Sequence, residues 1–173
     1  PASPEDCAIP CDDNPSPTNL TAYFEPDAAD PSVVLNWTIP TGECLDCGND
    51  YISELPWSAI GSNIGEEDNW LVQGSQGADY AYYLMVPEPI VIDITLCTQT
   101  TDYDAKLEIF TADQECIETT TGNYNDDDWY NCTDYIAPLP PSGLWGAPLE
   151  PGIYYIVVDG YGGAEGNYEI LVT

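Results

Sequence analysis

Apolar and polar positions alternate along four stretches of the second half of the chain, residues 80–86, 90–96, 153–159 and 167–173. A period of two is typical of a β-strand with one buried and one exposed face. No stretch of useful length has the period of an amphipathic helix, and 16 Pro with 14 Gly also disfavour helices. The pattern therefore predicts an all-β fold, an antiparallel β-sandwich over residues 49–173.

The first 48 residues have a different pattern. Residues 1–18 are rich in Pro, Asp and Ser, so we expect an extended arm. Two apolar runs within residues 17–40 predict a β-hairpin. They resemble the first two strands of a fibronectin type III domain, in which a Trp such as Trp37 enters the core. The remaining strands of such a domain do not follow, because a Cys-rich linker comes next. Residues 1–48 are therefore predicted to form an N-terminal region ahead of the sandwich.

The predicted hairpin cannot bury its apolar face alone, because a two-stranded sheet is marginally stable in water. It must pack on the sandwich or on another molecule. Addition of its strands to a neighbouring copy would give a head-to-tail contact that propagates. The interface candidates are Leu20, Val34, Leu35 and Trp37.

Four motifs follow one another in the second half: DYDAKLEIF at residues 102–110, NYNDDD at 123–128, LEPGIYYIVVDGY at 149–161 and GNYEILV at 166–172. In this order they resemble the signatures "YDTkL", "nDD", "pGtYyi.VdGy" and "GnY.l.V" of the bacterial pre-peptidase C-terminal (PPC) family. That family is a secreted β-sandwich module. The resemblance implies a jelly-roll-like sandwich with calcium bound near the first two motifs.

The charge balance is extreme, with one Lys or Arg against 31 Asp plus Glu and a net charge of −30. Such a surface repels nucleic acid and anionic lipid and attracts cations, so we expect no nucleic-acid partner. The chain has no apolar run of about 18 residues, which predicts no membrane span. It begins at Pro1 without Met and has seven Cys, so we expect a protein that has lost a signal peptide and lies outside the cell, at the cell surface.

Acidic residues flank two neighbouring predicted strands and are the candidate metal ligands. Because loops at the same end of antiparallel neighbours can converge, their carboxylates would repel one another unless a cation neutralised them. Oxygen ligands without His select Ca²⁺ over zinc. The alternative is a solvated acidic loop. The candidates are Asp102, Asp104, Asn125, Asp126, Asp127 and Asp128.

The resemblance to the PPC family also implies calcium at these positions. Asp102 and Asp104 match its "YDT" region, and Asp126 and Asp127 match its "nDD". Ala105 stands where the family motif has Thr, which removes a hydroxyl ligand.

The cysteines are disulfide candidates, and their pairing stays open at this stage. The spacing of the first four also suits a zinc site, although an exported chain without His favours disulfides. Cys116 and Cys132 flank the acidic loop, and a disulfide between them would stabilise the fold by about 3 kcal/mol. An odd number leaves at least one Cys free or with a partner outside this chain. The seven are Cys7, Cys11, Cys44, Cys47, Cys97, Cys116 and Cys132.

The sequence predicts no catalytic residues. The chain has no His for a nucleophile–base pair, and its only Lys, Lys106, lies within a predicted strand. Aromatic residues in predicted loops could stack on sugars, fill an interface or anchor a Pro-rich loop; they are Trp129, Tyr130, Tyr135, Trp145 and Tyr161. Three sequons make Asn19, Asn36 and Asn131 candidate acceptors of a glycan.

Two functions fit these observations. The first is an exported, calcium-binding structural subunit that assembles with copies of itself into an extracellular filament through its N-terminal arm. The second is an accessory binding module of a secreted protein that recognises polysaccharide or a fibrous protein.

Overall fold

The computed structural model describes the backbone of two N-terminal strands and, with side chains, residues 47–113, 116–132 and 141–173. The contacts divide the chain into two compact units, Pro1–Leu45 and Asp46–Thr173. The strands are β1 Thr18–Glu25, β2 Ser32–Thr38, β3 Asp50–Ile52, β4 Trp57–Ser62, β5 Tyr80–Val86, β6 Ile90–Thr95, β7 Ala105–Ala112, β8 Glu118–Asn125, β9 Gly143–Leu149, β10 Gly152–Gly160 and β11 Asn167–Val172.

The second unit confirms the predicted all-β sandwich. One sheet has five strands in the order β3-β5-β10-β7-β8, and the other has four in the order β4-β11-β6-β9. All pairs are antiparallel except β3 with β5, which is parallel. The described part of the chain contains one short 3₁₀ helix, Tyr161–Gly163, and no helix long and apolar enough to cross a membrane.

The core between the two sheets follows the predicted alternation in β5 and β6. Tyr82, Leu84 and Val86 point inward from β5, and Ile92 and Ile94 do so from β6. The turn between these strands carries the chain from one sheet to the other, because β5 pairs with β10 and β6 pairs with β9 and β11. Apolar residues on alternate positions of both strands therefore meet in one core.

The central strand β10 differs from the predicted alternation, because both of its faces are buried. Ile156 and Val158 belong to the core between the sheets, while Tyr155 lies on the opposite face. There it packs against Trp70, with 4.9 Å between the ring centroids. Trp70 belongs to a loop, residues 63–79, that covers the outer face of the five-stranded sheet and is called the strap below. The strap explains why a run of consecutive apolar residues suits β10.

In the N-terminal unit, β1 and β2 form the predicted hairpin, with Ala22 opposite Leu35 and Tyr23 opposite Val34. The interface candidates Leu20, Val34, Leu35 and Trp37 lie on these strands, and their side chains are outside the described residues, as are those of Asn19 and Asn36. Cys7, Cys11, Cys44 and Tyr135 also lie outside the described residues.

Two disulfides are described, and they settle pairings that the sequence left open. Cys47 pairs with Cys116, with 5.5 Å between Cα atoms, and Cys97 pairs with Cys132, with 5.1 Å. The link between Cys116 and Cys132 that was considered from the sequence does not form, because each of these residues has another partner. The reason is that Cys132 folds back beside Cys97, which follows β6 in the other sheet, so the bond joins the ends of two sheets instead of closing the acidic loop.

Candidate metal centre

The register of β7 and β8 brings part of the predicted acidic site together. Leu107 of β7 is opposite Asn125 of β8, so Asp104, which precedes β7, lies at the same end as Asp126, which follows β8. Ser142 fixes this end of the sheet. Its fully buried hydroxyl contacts the carbonyl oxygens of Ala105 at 2.8 Å, Asn125 at 3.0 Å and Asp126 at 2.5 Å. Sequence reasoning missed Ser142, because a lone Ser carries no signal of its own.

Three side-chain oxygens at this end are buried and have no hydrogen-bond partner: Oδ1 of Asp104, Oδ1 of Asn125 and Oδ1 of Asp126. An unsatisfied buried polar atom costs about 1–3 kcal/mol. Three of them on adjacent chain segments form a group that suits a cation with oxygen ligands.

Electrostatics at the site favour an added positive charge. Burial raises the pKa of Asp104, and repulsion from Asp127 and Asp126 raises this pKa further, against the opposing effect of Lys106. Burial likewise raises the pKa of Asp126; Lys106 opposes this, and Asp127 adds to it. Both carboxylates are therefore harder to ionise than usual unless a cation is near. We call Asp104, Asn125, Asp126 and Asp127 the acidic cluster.

The one basic residue of the chain lies beside the acidic cluster. Lys106 is only 2% exposed, and its Nζ is 3.7 Å from Oδ2 of Asp126. Nζ also donates to the carbonyl oxygen of Gln73 in the strap at 3.0 Å. It lies 5.0 Å from the ring centroid of Tyr161 and 5.9 Å from that of Tyr124. The ammonium is thus enclosed by a carboxylate, a carbonyl and two aromatic rings.

The other two predicted ligands already have hydrogen-bond partners. The Asp102 carboxylate accepts from the backbone N–H of Asn167 at 2.8 Å and from its side-chain amide at 3.0 Å. The Asp128 carboxylate accepts from the indole N–H of Trp145 at 2.5 Å and from the backbone N–H and side-chain amide of Asn131, each at 3.0 Å. Burial acts to raise the pKa of Asp128, but these hydrogen bonds outweigh it and the pKa is lowered. Asp102 and Asp128 therefore serve to hold loops in place.

The hydrogen bonds of Asp128 also bear on one predicted sequon. The side-chain nitrogen of Asn131, to which a glycan would be attached, donates to both oxygens of Asp128 at 3.0 Å. Glycosylation of Asn131 would therefore compete with this loop contact. The neighbouring Trp129 and Tyr130 are exposed, as the loop prediction for these aromatic residues requires.

Among residues 47–113, 116–132 and 141–173, three possible metal ligands have ligand atoms that all lie within 4.8 Å of one another. They are Cys97, Asp128 and Cys132. The two sulfurs are joined in a disulfide, so they are not thiolate ligands. The carboxylates of the acidic cluster are spaced more widely than this. A cation that bound all of them would have to draw the acidic loop inward.

A second pair of buried acids was missed by sequence reasoning. Asp79 of the strap is 2% exposed and Asp159 of β10 is fully buried, and each has one carboxylate oxygen without a partner. Burial raises the pKa of Asp79 to about 7; the backbone N–H of Trp70 opposes this, and repulsion from Asp159 adds to it. Burial also raises the pKa of Asp159. The buried hydroxyl of Tyr103 has no partner either.

Polar contacts around Gln73 fix the strap to the sheet. The backbone N–H of Gln73 donates to Glu108 at 3.0 Å, and the carbonyl oxygen of Gln73 accepts from Lys106 at 3.0 Å and from the hydroxyl of Tyr124 at 3.3 Å. Ser75 donates to the carbonyl oxygen of Gly160 at 2.7 Å. An open groove of about 1000 Å³ runs between the strap and the β7–β8 edge, and it is lined in part by these same residues.

Comparisons with known proteins give one similarity. No family model and no curated protein matches the chain. A solved structure of the pre-peptidase C-terminal domain of a collagenase from Bacillus anthracis is similar, with 17% identity and a TM-score of 0.43, over 73% of this chain and 96% of that domain. The domain carries the name of the family that the sequence motifs resemble. This similarity supports no conclusion about function.

Proposed function

We propose that the sandwich is a non-catalytic module that binds one Ca²⁺ at the acidic cluster and that the protein uses this module as a structural part outside the cell. The single observation that supports the proposal is the set of three buried, unpartnered oxygens on Asp104, Asn125 and Asp126. The carboxylate of Asp127, which repels that of Asp104, is the fourth candidate ligand.

The chemistry of these ligands selects calcium among the common cations. The cluster offers carboxylate and amide oxygens, and the chain has no His. Ca²⁺ takes six to eight oxygen ligands at about 2.3–2.6 Å in a flexible geometry, whereas Mg²⁺ demands a near-ideal octahedron and zinc prefers nitrogen and sulfur. The flexible coordination of Ca²⁺ also tolerates the inward movement of the acidic loop that binding requires.

The charge of the cluster also suits a divalent ion. Three carboxylates against the single ammonium of Lys106 leave a formal charge of two minus, which one Ca²⁺ balances. The ion would give each orphaned oxygen a partner and remove the repulsion that raises the pKa of Asp104 and Asp126. Cation binding would therefore stabilise the folded state and stiffen this end of the sandwich.

Calorimetric titration and thermal unfolding test the proposal. At a Ca²⁺ concentration about 100 times the Kd, binding adds about 2.7 kcal/mol to the unfolding free energy and raises the Tm by about 5–10 °C relative to EDTA. We expect Asp126→Asn to lose the calcium-dependent shift. Glu88→Gln removes one charge from an exposed turn, and Asp102→Asn removes a carboxylate assigned a loop contact, so both should keep the shift. A wild-type protein whose Tm is equal in Ca²⁺ and EDTA would refute the proposal.

Self-assembly into a filament stays a prediction for the N-terminal arm, as does the alternative of an accessory module that binds polysaccharide or a fibrous protein. Ca²⁺ at the acidic cluster is compatible with either, since it would lower the net charge of −30 that opposes contact between copies.

A further inference from the structure

The only basic residue of the chain is one of its most buried charged residues. A single Lys or Arg accompanies 31 acids, and one cation placed at random would be expected on the surface. Lys106 instead is 2% exposed, on the outer face of the five-stranded sheet beneath the strap. Its position between two groups of acids is therefore a specific feature of this fold.

Acidic groups face Lys106 from two sides. Asp126 of the acidic cluster is 3.7 Å from Nζ, and Asp159 is directly opposite Lys106 in the pairing of β10 with β7. Burial raises the pKa of Asp104, of Asp126 and of Asp159, and the nearby ammonium opposes this rise in each case. Lys106 thus supplies part of the positive charge that the acidic cluster needs, without any bound ion.

A purely structural role is the alternative, because Nζ also holds the carbonyl oxygen of Gln73. Glu108 gives a matched comparison. It holds the backbone N–H of the same strap residue, from the same strand and the same face, but it carries the opposite charge. Glu108→Met removes this acceptor, so it loosens the strap as Lys106→Met does, and it leaves the ammonium in place.

We propose that Lys106 is a built-in counter-cation that sets the affinity and charge selectivity of the acidic cluster for metal ions. The inference rests on the proposed function, since it concerns the same site. With Lys106 the cluster has a formal charge of two minus and matches a divalent ion. Without it the charge is three minus, so every cation binds more tightly and a trivalent ion gains most.

Coulomb repulsion makes the expected effect quantitative. A unit charge a few ångströms from a bound dication changes the Kd of that ion at least tenfold. This holds even when the effective dielectric constant is closer to that of water than to that of a protein interior. The repulsion scales with the charge of the bound ion. The gain in log affinity on removing Lys106 should therefore be about 1.5 times as large for Tb³⁺ as for Ca²⁺.

Titration of the full chain with Ca²⁺ and with Tb³⁺ tests this inference. We expect Lys106→Met to bind Ca²⁺ at least tenfold more tightly than wild type, with a larger gain for Tb³⁺, while Lys106→Arg stays near wild type. Glu108→Met should show no gain for either ion. Unchanged or weaker Ca²⁺ binding by a folded Lys106→Met variant, or an equal gain in Glu108→Met, would overturn the role of Lys106 and leave calcium binding intact. Failure of the wild type to bind Ca²⁺ would overturn both proposals.

A second measurement needs no variant of Lys106. Since the chain has one Lys, a protein labelled at lysine gives a single side-chain NMR signal. Saturation with Ca²⁺ should shift this signal in the wild type and leave it unmoved in Asp126→Asn. A signal that does not move in the calcium-saturated wild type would show that Lys106 does not sense the ion, which overturns the inference even if Lys106→Met fails to fold.

Discussion

Replacing Asp79 by Asn should make the protein more stable at neutral and alkaline pH. Asp79 is 2% exposed, and its Oδ2 accepts the backbone N–H groups of Asn69 at 2.9 Å and Trp70 at 2.6 Å, while its Oδ1 has no partner. Burial raises its pKa from 3.8 to about 7. The folded state therefore holds a proton that the unfolded chain releases, and the stability from this proton is fully present below about pH 4 and is lost as the pH rises towards 7.

The pKa shift sets the size of the effect. Each pKa unit corresponds to about 1.4 kcal/mol, so the rise from 3.8 to about 7 makes the loss at most about 4 kcal/mol between pH 4 and pH 8. Asn cannot ionise, yet its carbonyl oxygen can still accept both backbone N–H groups, and its amide carries no charge to repel Asp159. The variant should match the wild type near pH 4 and exceed its unfolding free energy by up to about 4 kcal/mol at pH 8.

Urea unfolding in EDTA across this pH range is the assay, because the chelator removes bound cations. Titration of Asp104 and Asp126 is common to both proteins and cancels in the difference between them. Glu88→Gln is the control, since it removes one acid from an exposed turn and should keep the slope of the wild type. If the curves of Asp79→Asn and wild type stay parallel from pH 4 to pH 8, the buried carboxylate does not hold a proton and the reasoning fails.

Two further predictions concern the cysteines and the N-terminal arm. The disulfides Cys47–Cys116 and Cys97–Cys132 close loops of 69 and 35 residues, so loss of either should lower the unfolding free energy by about 4 kcal/mol in the chain-entropy account. Mapping of a non-reduced digest would contradict these pairs if it linked Cys116 to Cys132. Deletion of residues 1–40 should give a folded, monomeric sandwich that no longer assembles, as sedimentation can measure; a truncated chain that still polymerises would show that the arm is not the connector.

The alternation in residues 80–86 and 90–96 predicted both strands and the inward face of each, because side-chain direction along a strand is a local property of the backbone. It did not predict that the two strands lie in different sheets. Within the described sandwich, β7 and β8 are the strands adjacent in sequence that pair with each other. All other pairings join segments that are distant in sequence, and their contacts leave no local pattern.

The acidic site likewise combines features that the sequence predicted with contacts that only the fold creates. Six candidates followed from acid density and motif order, and the structure brings Asp104, Asn125, Asp126 and Asp127 to one end of the sheet. It assigns Asp128 to a hydrogen bond with Trp145, a partner that no spacing rule connects to it. The buried acid Asp79 had no signal at all in sequence, because its pKa depends on the strap that covers it.

Composition and local pattern were enough to predict that this chain is all-β, carries a net charge of −30 and has an acidic loop next to a strand. These properties depend on composition and on a period of two, which each segment carries alone. The tertiary structure decided which loops meet: the partner of each described cysteine, the strap over β10, and the burial of the one ammonium beside Asp126. Such contacts arise from the packing of distant segments, since the free energy that selects them belongs to the assembled core and to no single stretch of residues.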